Sequence, residues 1–101
     1  MSVEDMRVSR EVRRVLAKHW IKIQRLNYNV VNGTLYMRGH LEVMHEPATA
    51  RTEKEVDQFG VGPKFMLSLE RELVKVSGVR TIRWDLSRWT RGTSGWSHRG
   101  L

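Results

Sequence analysis

An Asn-Gly pair at positions 32 and 33, set between two runs that alternate apolar and polar residues, constrains this chain more than any other feature. Asn-Gly between such runs is the strongest short-range signal of a β-hairpin closed by a two-residue type I′ turn. The turn fixes a register: Val31 faces Thr34, and the pairing runs back as Val30 with Leu35, Tyr28 with Met37 and Leu26 with Gly39. Side chains alternate across a strand, so these last three pairs share an apolar face. Asn29 with Tyr36, Asn27 with Arg38 and Arg25 with His40 form the polar face. Turn chemistry and hydrophobic pattern therefore specify the same hairpin.

Upstream, Ser2-Val3-Glu4-Asp5 reads as a helix cap, with acids placed near the positive end of the helix dipole. The helix continues to Lys18 or His19. At helical spacing, Val8, Val12, Val15, Leu16 and His19 fall on one side, with Arg7, Arg10, Arg14 and Lys18 nearly opposite. The apolar stripe needs a partner, and the apolar side of the hairpin is the natural one. The basic stripe reads as that helix's wet face, and His19 as a partly buried residue at the helix end. Ile21 and Ile23 break the alternation that Leu26, Tyr28 and Val30 follow, which predicts a bend or bulge near Gln24 and Arg25.

Downstream, Met44-His45-Glu46-Pro47 is an exit turn, since Pro disfavours helix at the residue before it. Residues 46–62 form the only net-negative section, with Arg51 and Lys54 against Glu46, Glu53, Glu55 and Asp57, and suit a short exposed helix or a loop equally. Gly62 and Pro63 open a second helix, in which Phe65, Met66, Leu69, Leu73 and Val76 form a stripe. That helix runs to Val76 or Ser77, with Gly78 placed for a left-handed cap. Val79 to Leu86 then alternates Ile82, Trp84 and Leu86 with Thr81, Arg83 and Asp85, a third strand.

The order helix, strand, strand, helix, strand predicts an α+β fold: one small two-layer sandwich, αββαβ, with two helices on one face of a three-stranded sheet. With 101 residues and 40% hydrophobic content, a single core is expected. There is no cysteine, so disulfides and thiolate metal sites are excluded. The start of the chain has no continuous apolar segment, and no stretch suits a membrane span, which leads to an expectation of a cytoplasmic protein.

Two stretches resemble the BON domain, a small bacterial module of periplasmic osmotic-stress, secretion-related and channel-associated proteins. Asn29-Val30-Val31-Asn32-Gly33-Thr34-Leu35-Tyr36-Met37-Arg38-Gly39 is similar to that family's strand-turn-strand signature, with a second Gly six residues after the first. Gly78-Val79-Arg80-Thr81-Ile82 is similar to the Gly-Val pair that opens its final strand. The resemblance spans roughly residues 7–86 and divides the chain into a BON-like domain at 1–86, with the acidic insert 46–62, and a basic Trp/Gly/Ser-containing tail at 87–101, expected to be flexible. It implies a non-catalytic binding or adaptor module that contacts anionic phospholipid surfaces or a partner protein.

The residues themselves leave several ligands open. The formal charge of +7 favours anionic partners. A tail carrying Arg88, Trp89, Arg91 and Trp96 suits an anionic membrane surface, Arg supplying attraction and Trp settling at the interface; a solvated tail without a partner is the plainer reading. The polar sheet face offers Arg25, Asn27, Tyr36, Arg38, His40 and Arg83, basic and aromatic groups that suit RNA or single-stranded DNA. Sheet edges also invite a homodimer by edge pairing. Enzyme chemistry has no support: no nucleophile elbow, phosphate-binding glycine loop, zinc-protease motif or cofactor motif is present. His40, Glu42, His45 and Glu46 are the only local cluster with metal-ligand chemistry, and a solvated edge is the better reading of them.

Overall fold

A computed structural model describes residues 2–44, 61–93 and 95–98. The elements run α1 (Val3–Lys18), β1 (Leu26–Val31), β2 (Thr34–Gly39), α2 (Pro63–Val74), β3 (Thr81–Leu86), β4 (Trp89–Gly92) and β5 (Gly95–His98). The result is an α+β fold with two helices, a three-stranded sheet ordered β1-β2-β3, and a separate β4-β5 pair.

The hairpin has the register the sequence dictates, from Val31 opposite Thr34 to Leu26 opposite Gly39. Asn32 and Gly33 both take positive φ, 47° and 84°, as a type I′ turn requires. Strand β3 adds to β2 in parallel, setting Leu35 beside Ile82 and Met37 beside Trp84. Below the hairpin the two legs stay paired, with Ile21 opposite Val43. Between that bridge and the Leu26–Gly39 pair the first leg has four residues and the second three, so one extra residue is inserted on the first leg. It lies at the Gln24-Arg25 turn, where the Leu26 amide bonds the Ile23 carbonyl and the His40 amide bonds the Arg25 carbonyl. The insertion switches faces, and Ile21 enters the core at 2% exposure.

Helix α1 begins where the cap places it: the Ser2 hydroxyl accepts the Asp5 amide at 3.0 Å. The Asp5 carboxylate is buried and accepts the Asn32 amide, tying the first helical turn to the hairpin tip. At the other end, the Trp20 amide bonds Ala17 and the Ile21 amide bonds Leu16, the paired bonds of a Schellman cap. Trp20, not glycine, holds the left-handed position there, with φ 60°, and its side chain is exposed. Ile21 and Leu16, the apolar pair of that motif, are both in the core.

Val8, Val12 and Leu16 of α1, Met66, Leu69 and Leu73 of α2, and Leu26, Val30, Leu35 and Met37 of the hairpin form one buried cluster. Ile21, Leu41, Val61, Leu86 and Trp89 complete it. Burial of each such side chain is worth ~1.5–3 kcal/mol before entropy is counted, so the cluster dominates the favourable side of folding.

Two expectations are corrected. Helix α2 ends at Val74, and tight turns carry the chain through Val76 to Val79, so Gly78 lies beyond the cap. Within the segment 87–101 expected as a flexible tail, Trp89–Gly92 and Gly95–His98 pair as β4 and β5 and pack on α2 and β3. Its anchor is Trp89, at 3% exposure, whose apolar area is worth more buried than waving in solvent. The acidic stretch lies outside the described residues except for Val61 and Gly62, both buried.

Candidate functional site

The three-stranded sheet turns Leu26, Val30, Leu35 and Met37 into the core and presents its other side to water. Three rows cross that wet side: Val31–Thr34–Thr81, Asn29–Tyr36–Arg83 and Asn27–Arg38–Asp85. Alternation along each strand produces the rows, and the shared register lines them up.

In the middle row Tyr36 occupies the central strand, 38% exposed, with Asn29 on one side and Arg83 on the other, both exposed. Arg83 has no acidic partner among the described residues. In the next row Arg38 and Asp85 stand 3.7 Å apart, with side chains 70% and 74% exposed, a pair that water screens almost completely. The face is therefore a polar plane with one ring at its centre, two guanidinium groups and one carboxylate. Such a plane can stack a flat ring on Tyr36 and hold anions with Arg38 and Arg83.

Asn27, Tyr36, Arg38 and Arg83, anticipated as binding residues, all lie on this face, and Asn29 joins them. Arg25 is exposed at the bulge, beyond the ordered rows. His40 leaves the face: past Gly39 its side chain is 17% exposed and sits 3.5 Å from Glu42. The Glu42 carboxylate is held below its ordinary pKa, first by a 2.8 Å hydrogen bond from Lys22 and further by the charges of Lys22, His40 and Arg25.

The four tail residues anticipated as ligands for an anionic surface each contact a neighbour within the fold. Arg88 is half-buried and donates to the Leu41 carbonyl at 3.1 Å. Trp89 is in the core and stacks edge-on with His98. Arg91 bonds Glu70 of α2 at 2.9 Å and lies 6.0 Å from the Trp96 ring. Trp96 meets Trp84 edge-on. Each is tied to a neighbour because the hairpin folds back on β3 and α2.

Other features are less organised. A shallow cleft of about 350 Å³ on α2 lies between Lys64, Leu67, Arg71 and Lys75, a basic surface that the apolar stripe of that helix gave no reason to single out. Among the described residues no three His, Asp or Glu side chains converge as metal ligands, and His45 and Glu46 lie outside them. No described helix is long and apolar enough to cross a membrane. In comparisons with protein-family models, with curated proteins and with solved structures, nothing matches this chain.

Proposed function

We propose that this chain is a non-catalytic binding module that takes an anionic partner on the wet face of its sheet, and that single-stranded nucleic acid is the partner this face suits best. The observation that carries the proposal is the row Asn29–Tyr36–Arg83, with the ring on the central strand and an unpaired guanidinium beside it. A base stacks on Tyr36, Arg83 and Arg38 hold the flanking phosphates, and Asn27 and Asn29 offer hydrogen bonds to base edges. The element order α1-β1-β2-α2-β3 supports the BON-like reading of residues up to Leu86, with the β4–β5 hairpin as an addition to it.

An anionic phospholipid surface is the second reading, favoured by the same two arginines and by the resemblance to BON domains. It loses its strongest argument in the tail, where Trp89 and Trp96 are engaged within the fold and do not reach outward. Binding is measured by fluorescence anisotropy with single-stranded RNA and DNA, and by sedimentation with anionic and neutral vesicles. Loss of the stacking ring in Tyr36→Ala is expected to weaken nucleic-acid binding by about tenfold, as removal of one stacked base contact does. Equal affinity of wild type and Tyr36→Ala contradicts the reading. Binding to anionic vesicles with none to RNA or DNA selects the second reading.

A further inference from the structure

The sheet ends on β3, whose outer edge has no strand paired to it among the described residues. A groove of about 410 Å³ runs along that edge, lined by Thr81 to Trp84 on one side and by Trp89 and Arg91 on the other, so the edge is open. The amides of Thr81 and Ser87 bond β2 through the carbonyls of Gly33 and Gly39. Backbone groups alternate sides along a strand, so Arg83 and Asp85 also bond inward, and the N–H and C=O groups of Ile82, Trp84 and Leu86 point out of the edge.

We propose that this edge pairs antiparallel with β3 of a second copy of the chain, about a two-fold axis at Trp84. The sequence Thr81-Ile82-Arg83-Trp84-Asp85-Leu86 is complementary to itself in that register. Trp84 meets its own mate as a hydrogen-bonded pair, and Ile82 faces Leu86 of the second copy as another, using the backbone groups that point outward. Arg83 then stands opposite Asp85 of the second copy, and Asp85 opposite Arg83, on the wet face. These are the non-hydrogen-bonded positions, where facing side chains come closest. Two ion pairs form by symmetry from one charge pattern, as a self-complementary two-fold interface requires.

The register is selective. Moving the axis to Arg83 or Asp85 places like charges opposite each other. Strand β1, at the sheet's other edge, carries no charged residue that sets a register. Asp85 is only weakly engaged by Arg38 and is open to a second guanidinium. The product is a continuous six-stranded sheet, β1-β2-β3 joined to its copy. Its wet face carries two arginines for each Asp85, and Arg83 is the group that both the ion pair and the proposed phosphate contact would use.

Sedimentation velocity of the full chain, from micromolar to millimolar concentration, tests the proposal. Wild type is expected to pass from monomer to dimer with concentration. Arg83→Asp and Asp85→Arg each place like charges opposite twice over, and each alone is expected to remain monomeric. An equimolar mixture of the two variants restores both ion pairs and is expected to form a mixed dimer. Both side chains are exposed, so the variants are expected to keep the wild-type circular dichroism, and the wild-type thermal transition at concentrations where wild type is monomeric. A wild type that stays monomeric throughout, or single variants that dimerise as wild type does, overturns the proposal. So does a mixture that remains monomeric.

Discussion

The Trp96 ring stands edge-on to Trp84, with centroids 4.7 Å apart and planes at 86°. The contact joins the last strand of the chain to the apolar side of β3, and Trp89 extends the same seam into the core. The β4–β5 hairpin is therefore a wall of the domain. Trp89→Ala is expected to destabilise the fold by ~3–5 kcal/mol, the range for removing a buried Trp. Trp96→Ala removes one aromatic pair, worth ~0.5–1.5 kcal/mol beyond its buried area. Urea titrations followed by circular dichroism measure both, and a Trp89→Ala midpoint equal to wild type contradicts the packing described.

Gly39 closes the hairpin ladder at φ +110°, and a Cβ there lies 2.5 Å from the Arg25 carbonyl oxygen, a backbone atom that the bulge holds in place. Gly39→Ala is expected to cost at least ~2 kcal/mol, combining a strained backbone with a contact no side chain can relieve. Gly92→Ala is the control. Its Cβ meets nothing closer than 3.6 Å, and its cost is expected to be small. The same urea titration checks both variants.

Lys22 and Glu42 bridge the two legs of the ribbon below the bulge, through a side-chain bond at 2.8 Å and a backbone bond from the Lys22 amide to the Glu42 carbonyl. Because the folded state lowers the Glu42 pKa, its contribution is present above the unfolded glutamate value and is lost as pH falls through the lower, folded value. Glu4, beside Arg7, and Glu72, beside Lys18, shift in the same direction. Stability is therefore expected to fall on the acid side of the ordinary glutamate range. Thermal melts across that range should show a shallower acid limb for Glu42→Gln than for wild type, and identical limbs contradict the assignment.

Most of the hairpin was legible because its determinants are local. Asn32-Gly33 admits one tight turn, and period-two alternation then leaves one register that puts Val30, Leu35 and Met37 on the same side. The bulge was legible for the same reason, as a parity break between Ile23 and Leu26. The fate of Trp89 and Trp96 was not. Their neighbours are Arg, Gly, Thr and Ser, a composition shared with solvated tails, and their burial depends on surfaces that α2 and β3 supply from elsewhere in the chain. Gly92 and Gly95, which pair at the closed end of that hairpin, were the available hint of a turn. Asp5 was hidden likewise: its spacing says helix cap, and only the assembled fold brings Asn32 to its carboxylate. On the wet face, alternation identified Asn27, Tyr36, Arg38 and Arg83. His40 dropped out because the chain leaves the ladder after Gly39.

The central claim is that the row Asn29–Tyr36–Arg83 is a binding surface, and its most direct test is an NMR titration of labelled protein with single-stranded RNA. The account predicts progressive amide shifts at Asn29, Tyr36, Arg38 and Arg83 that weaken with added salt, since phosphate contacts release counterions. Shifts confined to the α1 arginines or to the α2 cleft, with the wet face of the sheet unmoved, would contradict it.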